Sequence, residues 1–459
     1  MRLINRKKIQ RIKRKIRESS FLRLFNMKDD YSKGRSMLLT WTVTAAIANV
    51  FVSGTFQTAF LAQNGIDIVR VGIITMIPYM SWILGVFSPK ILQKFKSRRG
   101  PMIFKHCFYY VCVILASTIM PYFVEDYTAR TVWFGVLMFV GNIPQALVGT
   151  GATAWHMHFI PEGEDRSIYY SITNIINNVS GVATAVFASL AADRLSVNPN
   201  YPTILNVLRM ISFVVLMVGV VFLFVIPKEF PYEVSNQTYK LTDTIIKPLK
   251  AKKFMLTITI ALLWNCIHSF NGGTWNYYLL DTVKMPYIMT YLCSIIITVG
   301  SFFLFGKWRK MVEKYSWSTV MCFVVVIAAI SEIMVSFTTE HTLWVFVIVC
   351  FVSGINNIGI QLVFADIFYM NLPKEDTDLY SVFYNFAVNI FVLIGQIFGT
   401  WLLAVMEKPD GAHNVLFGLP FYASQYLTWI KAVCLFAMAT YVWWASPHIR
   451  PENEKLKKH

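Results

Sequence analysis

The sequence predicts an all-α membrane protein: twelve transmembrane helices in two pseudo-symmetric six-helix bundles. Three observations carry that prediction. Of 459 residues, 56% are hydrophobic and only 15% charged, whereas soluble chains carry about 25% charged residues. Twelve apolar runs each approach or exceed the about 20 residues that a helix needs to cross the hydrocarbon core. Short motifs recur between the two halves of the chain. The composition alone excludes a soluble enzyme, a disordered chain and a disulfide-stapled secreted domain.

In chain order, spans 1 to 6 fall at 37–63, 70–92, 102–124, 131–160, 167–191 and 203–227. Spans 7 to 12 fall at 255–281, 286–306, 317–339, 342–371, 379–406 and 419–446. The expected units are a basic N-terminal segment (1–35), a first bundle (36–227), a linker (228–254), a second bundle (255–446) and a tail (447–459). No small-residue cleavage site follows the basic segment, so no signal peptide is expected. The side shared by both termini holds 35 Lys and Arg, and the opposite loops hold 5. Positive charge stays in the cytoplasm, so both termini are expected there, in the cell membrane. The net charge of +17 is then an orientation signal, and no nucleic-acid partner is expected.

Within the basic segment, Ile9, Ile12 and Ile16 share a helical face among Lys and Arg. Two readings stand: an amphipathic helix on anionic lipid, or a solvated tail that only sets topology. All seven Cys fall in apolar runs and read as small buried hydrophobes.

The repeat is specific. GTFQTAFL (Gly54–Leu61) in span 1 is echoed by GTWNYYLL (Gly273–Leu280) in span 7. Tyr170, Ser171, Asn174 and Asn178 match Tyr380, Ser381, Asn385 and Asn389, and Pro161 matches Pro373. Basic stretches follow span 2 (Lys90–Arg99) and span 8 (Lys307–Lys314). The halves are therefore parallel copies of one unit. Spans 3, 6, 9 and 12 are mostly apolar. Spans 1, 4, 5, 7, 10 and 11 hold nearly all the Asn, Gln and His. Polar groups in a bilayer face a bundle interior or water, so every third helix reads as an outer support.

Over residues 36–446 the chain resembles the major facilitator superfamily. The resemblance rests on the duplicated six-helix halves and the basic connection after span 2, echoed after span 8. The family pattern there is Gly-x-x-x-Asp-Arg-x-Gly-Arg-Arg. Here SPKILQKFKSRRG (Ser88–Gly100) keeps Arg98 and Arg99 but has Gln93 or Lys94 near the Asp position. Pro161, Glu162, Arg166 and Tyr170 also resemble melibiose-type sugar–cation symporters. Spans 1 to 6 lack a deep carboxylate, so sodium coupling is not carried over. Family resemblance implies a central site between the halves, lined by spans 1, 4, 7 and 10.

The repeat offsets place Asn49 opposite His268, and Gln145 opposite Asn357, at similar depth. Trp264, His268, Asn271 and Trp275 share one face of span 7. With Gln57, Asn356 and Gln361 they make the candidate substrate set; Tyr79, Trp82, Asn142 and Gln396 are possible additions. Aromatic faces with amide and imidazole groups suit a neutral polar solute, a sugar or glycoside above all. The same amides could instead hold helices together. His268 titrates near neutrality, which makes it a hydrogen bonder or a group for a coupling proton. Arg98, Arg99, Arg166 and Asp366 are candidate gate or structural charges. Glu332 and Lys431 are expected to pair, since a lone intramembrane charge is costly; Arg209 is expected to snorkel outward. His156 and His158 read as interfacial, and no metal or cofactor is implied.

The leading expectation is a monomeric secondary transporter of a small polar molecule working by alternating access. The alternatives are an exporter of amphipathic compounds and a transporter-like scaffold that moves nothing. An enzyme is not expected, because no catalytic cluster is present.

Overall fold

The computed structural model describes residues 20–161, 164–195, 200–230, 241–368, 370–373, 377–407, 414–416 and 419–449. Among the described residues, twelve helices are long and apolar enough to cross a membrane. They are Asp30–Gln63, Ile68–Leu92, Arg99–Tyr122, Tyr127–Gly149, Ile168–Leu195 and Tyr201–Val225, then Lys252–Thr282, Leu292–Tyr315, Trp317–Val335, Leu343–Phe364, Leu379–Met406 and Ala423–Ile449. These are spans 1 to 12. A two-stranded antiparallel hairpin, Asn414–Leu416 with Leu419–Phe421, precedes span 12.

Packing repeats as the sequence does. Span 1 packs on spans 5 and 6, and span 2 on span 4. Six helices later, span 7 packs on spans 11 and 12, and span 8 on span 10. Each half has its own core: Met102, Ile114, Leu216 and Phe224 in the first, Val324, Val325, Leu435 and Val442 in the second. We call the end that carries the 2–3 and 8–9 connections the basic end, and the opposite one the far end.

Two boundaries differ from the expectation. Span 1 starts at Asp30, because Asp29 caps it: the Ser32 N–H donates to Asp29 Oδ1 at 2.7 Å, and Ser32 Oγ accepts from the Asp29 N–H. That donation holds the Asp29 carboxyl below the usual carboxylate range. Span 8 runs on through Lys307–Lys314, which was expected to be a loop. Lys, Arg, Met and Glu are good helix formers, and nothing breaks the run until Ser316 turns the backbone at φ 79°.

The N-terminal segment is described from Ser20 onward. Residues 1–19, with Ile9, Ile12 and Ile16, lie outside the described residues. Residues 20–25 are docked on the bundle: Leu24 and Phe25 are buried, and Phe25 stacks on Tyr169 at 5.9 Å. Arg35 Nε donates to the Leu24 carbonyl at 2.8 Å, and Arg23 pairs with Asp165.

Both symmetry-related helices that open a half are broken. Span 1 breaks at Ser53 and Gly54, whose φ of +55° favours glycine. Span 7 breaks at Ser269–Asn271. Gly54 meets nothing within 4 Å, so its role is conformational. Close contact falls instead on Gly395 and Gly399 of span 11. Side chains there would collide with the Cys266 and Phe270 carbonyl groups on either side of the span 7 break.

Gly399→Ala should therefore destabilise the purified protein by about 1–3 kcal/mol through overpacking. Gly306, in span 8, has no atom near its missing Cβ, so Gly306→Ala should be neutral or slightly stabilising. Thermal unfolding of the two variants in detergent checks this; equal midpoints would reject it.

Candidate functional site

The break in span 7 shapes the site. Ser269 Oγ donates toward the Cys266 carbonyl at 2.8 Å and the Val392 carbonyl at 2.9 Å, satisfying part of the interrupted backbone. Asn271 stands at the N-terminal end of the short helix that follows without bonding its free N–H groups, and its Oδ1 accepts from Lys431 Nζ at 3.2 Å. Lys431 also lies 2.7 Å from Glu332 Oε1, the carboxylate it was expected to meet. Spans 7, 9 and 12 are thereby tied at one point.

This cluster opens into a cavity of about 460 Å³. His268, Asn271, Trp275, Gln396, Glu332 and Lys431 supply most of its chemistry, and Tyr79 of span 2 closes one wall. The cavity lies mostly in the second half. The His268 ring is exposed to it, stacked on Trp264 at 5.6 Å with planes 9° apart. Trp264 stands behind that ring, against Phe364 at 5.3 Å, and is packing for the site and not its wall. One oxygen of Glu332 and the Gln396 carbonyl are buried without a partner.

A second cavity, of about 340 Å³, lies nearer the basic end between the halves. Gln145, Lys105 and Trp82 face Asn385 and Asn389 of span 11 across it. Gln145 thus sits apart from His268.

Other expected site residues lie away from this cavity. Gln57 Oε1 accepts from Arg209, and its Nε2 is buried without a partner. Arg209 does not snorkel outward: it is 1% exposed. Its guanidinium donates to Thr118 Oγ1 at 3.0 Å and Ser117 Oγ at 3.1 Å and lies over the Phe60 ring at 3.9 Å. Those donations explain why it stays inside. Asn356 is a seam residue, 3% exposed, whose Nδ2 donates to the Val324 carbonyl at 2.8 Å. Asn142 is likewise buried and accepts from Trp82 Nε1 at 3.2 Å. Asn357 Oδ1 accepts from Gln361 Nε2 at 3.2 Å on an exposed face of span 10. Asn49 is exposed on span 1.

Among the charges, the Arg99 guanidinium donates to the Pro227 carbonyl at 2.8 Å and lies 3.7 Å from Glu229, tying the 2–3 connection to the end of span 6. Arg98 is the residue before that helix. Arg166 is exposed, and the Asp366 side chain lies outside the described residues. His158 stacks on Phe230 at 5.1 Å. Sequence reasoning missed two things. It placed Glu332 and Lys431 on supporting helices, whereas both line the cavity. It counted Lys105 as loop charge, although Lys105 lies inside an apolar run starting at Pro101.

The halves meet along spans 2 and 11 and at the far end. There Asp193, at the end of span 5, accepts from the N–H groups of Tyr287 (2.6 Å) and Ile288 (3.2 Å). One half therefore caps a short helix, Tyr287–Thr290, of the other. Thr55 and Thr290 hydroxyls lie 3.3 Å apart, and Phe56 stacks on Tyr287 at 5.5 Å. By contrast, Asn174, Asn177 and Asn178 of span 5 stand exposed toward the basic end.

A family model described as Major Facilitator Superfamily matches residues 42–396. The fold is similar to the nucleoside transporter NupG, at 11% identity and TM-score 0.63, covering 89% of this chain and 98% of that one. It is similar to a POT family transporter in complex with 5-aminolevulinic acid, at 10% identity and TM-score 0.66, over 91% and 97%. A bacterial homologue of the iron transporter ferroportin in an inward-facing state matches at 12% identity and TM-score 0.61, over 89% and 97%. No curated protein matches in sequence.

Two outcomes follow from this geometry. Lys431→Met or Glu332→Gln alone leaves a buried charge uncompensated and should cost about 3–5 kcal/mol, whereas the double variant recovers much of the loss; thermal unfolding in detergent reads the difference, and additive losses would reject the coupling. Asp193→Ala removes a cross-half cap worth about 0.5–2 kcal/mol. A membrane-impermeant maleimide should then label Thr55→Cys, on a cysteine-free background, several-fold faster; an unchanged rate would mean that Asp193 does not hold the far end shut.

Proposed function

The chain belongs to the Major Facilitator Superfamily, and from that premise we propose that it carries a small polar, hydroxyl-rich solute by alternating access, a sugar or glycoside above all. It is a multi-pass membrane transporter. The observation that carries the finer reading is the cavity of about 460 Å³ with an imidazole, amides, an indole and one matched ion pair in its walls. That volume suits a small-molecule ligand. Lys431 and Glu332 cancel in charge, which favours a solute with no net charge at that point. Trp275 offers a flat face, while His268, Asn271 and Gln396 offer hydrogen bonds. An open polar cavity supports carriage over the scaffold reading.

The cross-half contacts gather at the far end, and exposed amides face the basic end. Exposed amides in a membrane span face water and not lipid. The conformation is thus open toward the basic end, which the charge asymmetry assigns to the cytoplasm. Rocking of the halves about spans 2 and 11 would break the Asp193 cap and expose the cavity to the other side. The Lys431–Glu332 pair beside His268 is the candidate place for a coupling proton.

Uptake of labelled sugars, glycosides and organic solutes into proteoliposomes, with and without a pH gradient, tests this. The expected result is saturable uptake of a hydroxylated solute, reduced about tenfold by His268→Ala, as loss of one hydrogen bond implies. Uptake confined to apolar compounds would overturn the reading.

A further inference from the structure

Lys105 is a buried cation that the carriage of a neutral solute leaves unused. It lies on span 3, six residues past Arg99, and is 4% exposed. Among the described residues no hydrogen bond or ion pair reaches its ammonium. Its electrostatic neighbours are the imidazoles of His106 and His156, neither of which brings negative charge. An ammonium held out of water without a counter-charge is costly. Lys431, the other buried lysine of the spans, has both a carboxylate and an amide.

Lys105 faces the cavity of about 340 Å³ between the halves. The donors there are its own ammonium and the Gln145 amide. Across from them, Asn385 Nδ2 donates to the Ser381 carbonyl at 3.0 Å, and Asn389 Nδ2 to the Asn385 carbonyl at 2.8 Å. Each amide therefore spends one of its two N–H donors within span 11 and keeps the other, together with Oδ1 as an acceptor. The cavity thus offers a positive charge on one wall and two Oδ1 acceptors, beside amide N–H groups, on the other. A bare halide would leave those acceptors unmet. An oxyanion that also carries hydroxyl groups would satisfy the charge, the donors and the acceptors.

We propose that this second cavity binds a small hydroxyl-bearing oxyanion, carboxylate or phosphate, with its charge on Lys105. The site bridges spans 2, 3 and 4 of one half and span 11 of the other, so its occupant favours the conformation in which these elements face each other. The proposal goes beyond the solute of the central cavity and does not depend on its identity. The oxyanion is either the acidic group of a hydroxylated organic anion or free phosphate.

Thermal unfolding of the full-length protein in detergent tests it, with inorganic phosphate, a hexose phosphate, gluconate and glucose added at ionic strength matched by chloride. A ligand that binds only the folded state raises the midpoint. We expect the oxyanions to raise it by several degrees over chloride and glucose. Lys105→Met should abolish that rise while unfolding no earlier than the wild type without ligand; Lys105→Arg should keep most of it. A larger rise with the hexose phosphate or gluconate than with phosphate assigns the site to an acidic solute. An equal rise with phosphate alone assigns it to the free anion. No rise over chloride, or an undiminished rise in Lys105→Met, overturns the proposal. Should Lys105→Met fail to fold, equilibrium binding of radiolabelled phosphate to the wild type and to Lys105→Arg decides, and no saturable binding to either overturns it.

Discussion

Hydrocarbon offers no water, so every polar group within a span must find a partner in the protein or face a cavity. That constraint orders most of the interior. Arg209 shows the first solution, with hydroxyl groups of span 3, the Gln57 amide of span 1 and the Phe60 ring around its guanidinium. The charge is spread over neutral acceptors and no carboxylate is used. Lys431 shows a second solution, in which Glu332 neutralises it and Asn271 takes another donor. Lys105 meets neither condition among the described residues, and it lines a cavity.

The broken helices obey the same constraint. Interrupting a helix in a bilayer frees backbone groups that cost several kcal/mol each if left unpaired, about the loss of a desolvated amide. In span 7 the Ser269 hydroxyl repairs part of that loss, and the break abuts glycines of span 11 that let two backbones approach. The break in turn aims His268, Asn271 and Trp275 into one space. In span 1 the related break sits at Gly54, and its neighbour Gln57 is consumed by Arg209. Duplication therefore preserved the kink but not its use, and the larger part of the central cavity is built by the second half.

Twelve spans and their grouping were legible because each depends on summed apolar length, which survives error at any one residue. The repeat was legible because its motifs sit where geometry is demanding, at a positive φ and at helix ends. The split of amides between cavity and seam was not. Asn356 and Asn357 are adjacent and chemically identical, yet one donates into span 9 and the other meets Gln361 on an exposed face. A step of one residue turns a side chain by about 100° around the helix, and no composition rule fixes the absolute rotation. Lys105 was misplaced for a related reason. A lysine near the start of an apolar run reads as interfacial, since its stem can snorkel, unless helix packing around it closes the route.

The positions of these charges along the path give them unequal consequences. Asp193 acts at the far end, where it exists as a cap only while the halves touch. Lys431 and Glu332 belong to the same half, so rocking leaves their pairing intact and changes only what can reach them. Lys105 and Asn385 belong to different halves, so the same motion separates them and dissolves the second cavity as a two-walled site. A ligand bound there gains its second wall only in the present conformation, and by linkage it must favour that conformation by the ratio of its two affinities. On the proposed reading, the central pair would select what is carried, and an oxyanion in the second cavity would bias when the halves part.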